Sequence, residues 1–404
     1  MPGIGPMQRT LFDDLEFSNK ELHPLWSIKD INDPDEVEKW FEESVTACQQ
    51  YYRDFFQIQL DNLLTYKGVH WLSADRQANR ILDRQGFPST RNPRVVINHL
   101  GDFVTQWVSR LTRYRPAVAV YPATSEQTDA DDSKIAKCVL DYIWYQARID
   151  ETLQEFVRQL KIFGEAYMWI LWNPQKGDLH PDWVQAAQQG RQVPILDSQG
   201  QPVKNPKGDP MFMDHAVRVG EVDYIVDPPW HVFDQPCRSR RDIDWSIRWY
   251  PVDVEYLRAK YPDQADKIHS DLDVNSLYTG YRLDIARLKN QIIVYELYHR
   301  SHEFLQKGRF IKRVKNVILE NTDLPYEHGE IPRIYMSDIE VPDQIRGMSF
   351  FQSLFPIQHQ INAIASLIYK SLVLYAHPKY TMQDGSCDMA QLLNESTVIS
   401  YSGG

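Results

Sequence analysis

Short clusters of carboxylates and histidines are the first residues of this sequence that could do chemistry. Asp242 with Asp244, and the acidic run at 129–132, could bind a divalent cation, because such cations prefer carboxylate oxygens. His299 and His302 would point to opposite faces of an alternating strand, so we do not expect them to share a metal ion. Loop carboxylates are usually only solvated. We therefore predict that none of these clusters holds a metal.

A metal-dependent DNA-processing enzyme, such as a nuclease, is the catalytic alternative. It needs clustered carboxylates and a lysine on neighbouring strands, and the nearest match is Asp263, Asp266 and Lys267. Their segment is polar and expected to be helical, so we interpret the match as chance. The sequence contains no phosphate-binding loop, dinucleotide-binding glycine motif, zinc-protease motif or serine-hydrolase motif. We predict that the chain is not an enzyme and uses no cofactor.

The overall charge argues against tight binding to nucleic acid. The 404 residues include 44 basic and 55 acidic side chains, which gives a net charge of −11. Proteins that grip DNA are usually basic, whereas an acidic wall would let DNA pass without sticking. The 4 cysteines form no CxxC pair, and no apolar run is long enough for a membrane span. We expect a globular protein in a reducing compartment.

One stretch, residues 346–378, is almost uncharged: Lys370 is its only formal charge between Gly347 and Pro378 if its histidines are neutral. Apolar residues recur there at spacings of three and four, which predicts an apolar helix face that includes Ile357, Ile361 and Ile364. A second stripe at spacings of four is polar and consists of Gln358, Asn362, Ser366 and Lys370. The pattern predicts a helix over 357–376 with Pro356 in its first turn.

Residues 291–320 form the most basic stretch and are typical of paired strands around a turn at Gly308. Their cations outnumber the acids Glu296 and Glu303, and they are Arg300, Lys307, Arg309, Lys312, Arg313 and Lys315. A positive β element in an acidic protein indicates a local contact surface. Ordinary solvated edge strands, on which lysine and arginine block unwanted pairing, explain the pattern equally well.

These stretches must be positioned by an α+β framework. Asp33 can cap a helix that opens with Pro34, and another helix is expected over 94–114. Two more helices follow, and the second of them ends near Gly164. Residues 173–214 are rich in turn formers and are interpreted as a loop insertion. Strands are expected at 117–121, 166–172, 216–219, 222–226 and 243–250.

The order of these segments resembles the portal proteins of tailed bacteriophages, most closely the portals of short-tailed phages. Within the uncharged stretch, the resemblance is carried by the Arg346-Gly347-x-Ser349 step, the Gln360-Ile361-Asn362 core and the Ala376-x-Pro378 exit. Upstream, YRPAVAVYP (114–122), GEAYMWILWN (164–173) and VDYIVDPPWHVFD (222–234) follow in the order that the family uses. Residues 230–244 depart from the family's pattern. The likeness covers about residues 90–400 and depends on the ordered set rather than on any one motif.

The resemblance implies a ring, normally of twelve subunits, at one vertex of the capsid. The ring would assemble in the host cytoplasm, remain in the virion, and form the channel through which double-stranded DNA is packaged and ejected. It would dock the terminase large subunit during packaging and a head–tail adaptor later. It would also contact the major capsid and scaffolding proteins, and no membrane.

The resemblance further implies a portal-type division of the chain, with two stem helices, a mixed α/β wing and a small β-rich clip. The implied parts are an N-terminal arm (1–32), the wing (33–250), a first stem helix within 251–290, the clip (291–345), a second stem helix (347–377) and a return towards the wing (378–404). The crown of such portals is not expected within these residues.

In such a ring, the resemblance implies a different contact for each stripe of the second stem helix. The apolar stripe would face a neighbouring subunit, because a ring interface uses two different faces of each subunit. The polar stripe would face the channel or a second neighbour, and an ordinary solvent-facing stripe is the alternative. The clip cations would contact the terminase, the adaptor or acidic neighbours. Another head–tail connector or adaptor is the third hypothesis, although such proteins are usually shorter.

Overall fold

The computed structural model describes residues 24–28, 30–75, 80–83, 93–114, 116, 118–179, 181, 184, 218–237, 239–270, 290–315, 317–342 and 344–376. Within them the chain forms an α+β fold with antiparallel sheets, as the sequence predicts. Most of the N-terminal arm, most of the 173–214 insertion and the 378–404 return lie outside the described residues. So do residues 271–289, within the region predicted to hold the first stem helix.

The described helices are α1 (Pro34–Tyr51), α2 (Arg53–Tyr66), α3 (His99–Leu111), α4 (Gln127–Gln146), α5 (Ile149–Phe163), α6 (Val254–Lys260) and α7 (Phe351–Ala376). Two of their ends lie where local sequence signals place them. The Asp33 side chain accepts a hydrogen bond from the N–H of Asp35 at 3.2 Å, and Pro34 opens α1. α5 ends at Gly164, which adopts φ = +86°. Both of these ends are confirmed predictions.

The strands that the structure describes belong to three sheets with the orders β1-β2, β10-β3-β4 and β5-β6-β7-β8-β9. They are β1 (Leu72–Asp75), β2 (Arg80–Asp83), β3 (Glu165–Asn173), β4 (Glu221–Asp227), β5 (Val232–Asp234), β6 (Trp245–Asp253), β7 (Gln291–His299), β8 (Arg309–Val314), β9 (Val317–Thr322) and β10 (Arg333–Ser337). Residues 118–121, predicted as part of a strand, form none, because they pair with no described strand.

The five-stranded sheet crosses the predicted boundary between wing and clip. β6 comes from the predicted wing, and β7 to β9 come from the predicted clip. β6 and β7 pair along their whole lengths, from Trp245 opposite His299 to Asp253 opposite Gln291. The chain between them therefore leaves and re-enters the sheet at one end. Its described part contains only α6 and a 3-10 turn (Pro262–Lys267), not a long helix.

The largest core lies between α1 and the five-stranded sheet. The buried face of α1 includes Trp40 and Phe41, which pack with Trp245, Ile247 and Leu297 of the sheet. Trp40 and Trp245 meet edge to face, with ring centroids 5.5 Å apart. Each large apolar side chain that is fully buried contributes about 1.5–3 kcal/mol relative to exposure. This packing covers one face of the sheet, and the other face is covered by two smaller apolar clusters that include Val294 and Tyr298.

A second core joins α3 and α5 to the beginning of α7. Phe351 is fully buried there, together with Leu100, Val104 and Phe163. The Ser349 hydroxyl accepts a hydrogen bond from the N–H of Phe351 at 3.2 Å. These contacts start α7 before Pro356, which therefore lies inside the helix rather than in its first turn as predicted.

Candidate assembly surface

The chain enters α7 through residues 345–350, and Arg346 ties this entry segment to three other parts of the fold. Its guanidinium donates to Oε1 of Glu165 (2.7 Å) and to the carbonyl oxygens of Val232 (2.8 Å) and Pro229 (3.3 Å). It also lies 4.2 Å from the centroid of the Tyr52 ring. Burial by itself would lower the pKa of Arg346, but the Glu165 carboxylate outweighs it and the net pKa is raised. Arg346 therefore stays charged in the interior.

Two glycines let the entry segment lie against the turn between α5 and β3. A Cβ on Gly164, which already has positive φ, would lie 2.3 Å from the backbone nitrogen of Ser349. A Cβ on Gly347 would lie 2.4 Å from the carbonyl oxygen of Gly164. The Ser349 hydroxyl donates to the Lys161 carbonyl at 2.8 Å. Each specified residue of the Arg346-Gly347-x-Ser349 step thus helps to fix the start of α7.

Most of the polar stripe of α7 is buried within the chain. Gln358, Asn362 and Ser366 are 3%, 0% and 3% exposed. The expectation that they face a channel, a second neighbour or solvent is therefore wrong. They satisfy the backbone of the extended segment 93–98, which the sequence assigned to the start of a helix. Lys370, the fourth member of the stripe, is exposed.

The bonds to segment 93–98 follow the helix at steps of one turn. Nε2 of Gln358 donates to the carbonyl of Ile97 at 2.5 Å, and Oδ1 of Asn362 accepts from the N–H of Ile97 at 3.0 Å. Oγ of Ser366 accepts from the N–H of Val95 at 3.0 Å. An extended segment has no helix partners of its own, so these side chains complete its backbone hydrogen bonding. α3 begins after this segment, at His99, where Oδ1 of Asn98 caps the helix by accepting from the N–H of Gly101 at 3.0 Å.

His70 completes this contact from a third segment. Its Nδ1 lies 2.6 Å from Nδ2 of Asn362, and its Nε2 lies 3.0 Å from the carbonyl oxygen of Thr65. Oδ1 of Asn362 already accepts two hydrogen bonds, so its Nδ2 must be the donor to His70. Nδ1 of His70 is then the acceptor and Nε2 carries the proton.

The opposite face of α7 is apolar and exposed. Ile357, Ile364, Leu367 and Leu372 are 56%, 57%, 60% and 62% exposed, whereas Ile361 is half-buried. Every residue from Leu367 to Ala376 is exposed to solvent when only the described residues are considered. That is about 15 Å of helix at 1.5 Å per residue. A contiguous apolar surface of this kind marks a site of contact with another protein surface.

A second apolar surface lies on α4. None of the 20 residues of this helix is buried. Large apolar residues are nevertheless frequent on it, and four of them are between 49% and 83% exposed: Ile135, Val139, Tyr142 and Tyr145. A helix with this composition gains little from isolated helix propensity and normally depends on packing. The described chain therefore offers two separate helices with uncovered apolar surface.

Three of the six cations of the basic stretch are buried within the chain, so these three do not form the predicted contact surface. Arg309 donates to Asn321 (2.7 Å) and to Asn32 (2.8 Å). Nζ of Lys312 lies 2.9 Å from Oε1 of Glu296. This correction has a physical reason: β8 is an inner strand of the sheet, covered on one face by α1 and paired on both edges.

The third buried cation, Arg313, stacks on the main core. Its guanidinium lies 4.6 Å from the centroid of the Phe41 ring and donates to the carbonyl of Glu38 at 3.3 Å. The other predicted contact residues are closer to the surface. Arg300 pairs with Asp244 at 2.8 Å, the exposed Lys307 lies 3.5 Å from Asp323, and Lys315 is exposed.

Sequence reasoning missed Arg248, which joins two sheets. It donates to Asp227 of β4 and lies 3.5 Å from Oε2 of Glu296 in β7. Burial raises the pKa of Glu296, but Lys312 and Arg248 outweigh burial and lower it. A charged residue that alternates with Trp and Ile in a strand normally indicates a solvent-facing side. Arg248 is internal because the three-stranded sheet, which contains β4, covers it. The local sequence pattern of β6 gives no sign of that sheet.

The acidic clusters are occupied by ion pairs. Asp244 pairs with Arg300, and Asp131 lies 2.9 Å from Nζ of Lys134. Asp263, Asp266 and Lys267 lie in a 3-10 turn rather than on neighbouring strands. No group of three or more His, Cys, Asp or Glu that could hold a metal ion occurs in the part of the chain that the structure describes.

Among the helices that the structure describes, none combines the length and hydrophobicity that crossing a bilayer requires. No protein-family model and no curated protein matches the sequence.

Proposed function

We propose that this chain is a subunit of a portal-type ring that forms the channel for double-stranded DNA at a capsid vertex. The observation that carries the proposal is the exposed apolar surface of α7. The base of this helix is held by the buried Arg346 and by the stripe bonded to segment 93–98. Its last turns extend from that base with apolar side chains uncovered. A rigid base and an uncovered tip suit a helix that packs between subunits.

The separate surface on α4 supports a ring rather than a simple dimer. A two-fold dimer needs only one patch, used by both subunits, whereas a cyclic ring needs two different complementary patches on each subunit. The surfaces on α4 and α7 provide two patches. In this proposal α7 of one subunit contacts a different surface of the next.

The remaining features of the proposal follow from the resemblance and the charge. The Arg346-Gly347-x-Ser349 step has the packing role described above, which gives one motif of the portal likeness a physical basis. A net charge of −11 suits a wall past which DNA moves without sticking. The ring would dock a terminase and an adaptor and would reside in the virion. It would perform no catalytic step of its own.

Negative-stain images of the purified chain test this function. The proposal expects closed rings with a central channel, and no hydrolysis of nucleotide or DNA by the isolated protein. Monomers at micromolar concentration, or magnesium-dependent DNA cleavage lost on Asp244→Asn or Asp263→Asn, would contradict it. A ring that contains no DNA-sized channel would favour the connector or adaptor hypothesis instead.

A further inference from the structure

A cavity of about 300 Å³ lies away from α4 and α7, where the five-stranded sheet meets β10. Four arginines line it: Arg240, Arg241, Arg300 and Arg333. They come from three places in the chain, namely the turn before β6, the residue after β7 and the start of β10. The acidic residues in the wall are Asp234 and Glu330, and two further carboxylates beside the cavity pair with its arginines: Asp244 with Arg300 (2.8 Å) and Glu340 with Arg240 (3.7 Å).

Two of the arginines are held in position by the protein. Arg240 donates through Nε to the carbonyl of Ile345 (2.8 Å) and through Nη2 to the hydroxyl of Tyr335 (3.0 Å), and it stacks on that ring at 4.0 Å. Arg300 donates through Nε to Asp244 (3.0 Å) and through Nη1 to the carbonyl of Arg241 (3.0 Å). Fixed guanidinium groups lose little conformational entropy when a ligand binds.

The other two arginines, Arg333 and Arg241, differ in whether a carboxylate pairs with them. Arg333 lies 2.5 Å from Asp234, whose carboxylate also accepts from Ser246 at 2.8 Å, so these two charges offset each other deep in the wall. Arg241 is exposed, and its guanidinium has no hydrogen bond or ion pair with any residue that the structure describes. Of the four lining arginines, Arg241 is therefore the one whose guanidinium donors are not already engaged by a described residue.

We propose that this cavity binds a small anion that carries a carboxylate or phosphate group, with Arg241 and Arg240 as its principal contacts. Guanidinium groups recognise both kinds of anion through paired N–H donors. A volume of about 300 Å³ is at the small end of ligand pockets, which fits one such group on a small molecule. The inference does not depend on the proposed ring, because none of these residues belongs to α4 or α7.

Isothermal titration of the full chain with inorganic phosphate and, separately, with succinate tests the site at constant ionic strength. We expect saturable binding of at least one probe, with one site per chain. Arg241→Ala should weaken that binding by about tenfold or more. Arg53→Ala, which removes an exposed arginine on α2, is the matched control and should leave the dissociation constant unchanged.

Arg241 is exposed, so Arg241→Ala should unfold at the same temperature as the parent protein without anion. Binding of phosphate but not succinate would assign a phosphate ligand, and the reverse would assign a carboxylate. Absence of saturable binding to either probe would overturn the proposal. So would equal dissociation constants for the parent chain and Arg241→Ala.

Discussion

The imidazole Nδ1 of His70 lies 2.6 Å from the side-chain nitrogen of Asn362, a residue 292 positions further along the chain. Both side chains are fully buried. Asn362 thus links α7 to the end of α2 and, through Ile97, to the extended segment before α3. This link determines which face of α7 the chain itself covers and which face it leaves exposed.

Asn362→Leu should destabilise the fold, because it removes the acceptor of the part-buried Ile97 N–H and the donor to Nδ1 of the fully buried His70. Each buried polar group left unpaired costs about 1–3 kcal/mol. Urea unfolding measures the loss, and hydrogen exchange should show faster exchange at the Ile97 amide. Gln360→Ala, at an exposed position of the same helix, should change stability by less than about 0.5 kcal/mol. Equal effects of the two changes would refute this role of Asn362.

Arg346→Met should be more damaging than its simple loss of contacts suggests, because it leaves the buried Glu165 carboxylate without a cation. Removing one partner of a buried ion pair costs about 3–5 kcal/mol. Adding Glu165→Gln should restore part of that loss, since it removes the uncompensated charge. The free energies of unfolding of both single variants and of the double variant measure this coupling. Purely additive losses would mean that the pair is not coupled.

Gly164→Ala should displace the start of α7, whereas Gly177→Ala should be much milder. Both glycines have positive φ, +86° and +87°, so the backbone penalty of about 1 kcal/mol is shared. They differ in what an added Cβ meets: the Ser349 backbone nitrogen at 2.3 Å in one case and the Glu221 side chain at 3.0 Å in the other. Thermal unfolding of the two variants compares them directly. A Gly177→Ala loss as large as the Gly164→Ala loss would show that the close contact is unimportant.

His299 should make stability depend on pH near neutrality. Its side chain is 1% exposed, and burial lowers its pKa below the ordinary value of about 6.5. As the pH falls below about 6.5, the histidine of the unfolded chain binds a proton, whereas the buried His299 of the folded chain stays neutral. The buried neutral histidine therefore contributes fully to stability above that pH, and this contribution is lost as the pH falls below it. His299→Gln should therefore flatten the stability profile between pH 7 and pH 5.

The control for this pH dependence is His328→Gln, at an exposed position. It should leave the slope of the profile as it is in the parent chain. The comparison uses denaturant unfolding at each pH, above the range in which ordinary carboxylates titrate. An unchanged slope in His299→Gln would contradict the assignment.

Local signals in the sequence predict the parts of this fold that depend on neighbouring residues. The Asp33 cap, the Gly164 end of α5 and the apolar run of β3 are all found near their predicted positions. The two stripes of α7 are also real, since one face is polar and the other apolar. What the sequence does not reveal is which stripe is covered.

The errors share a physical cause, which is long-range contact. Asn362 is buried by Ile97, 265 residues away, and no helical periodicity encodes that partner. Lys312 and Arg313 are adjacent and point to opposite faces of their strand, yet α1 covers one face and Glu296 neutralises the charge on the other. Polar stripes and basic strands indicate exposure only when no distant segment supplies matching partners.

In the proposed ring the exposed apolar face of α7 joins subunits. The mass of the particle in solution, measured for the parent chain, Ile364→Asp and Lys370→Glu, tests this contact. Ile364 is 57% exposed, so its change to aspartate should leave the subunit folded, as circular dichroism would check. Buried in an interface, the unpaired charge would cost several kcal/mol. We expect closed oligomers for the parent chain and Lys370→Glu, and monomers for Ile364→Asp. Monomeric parent protein, or oligomers that persist in Ile364→Asp, would contradict this expectation.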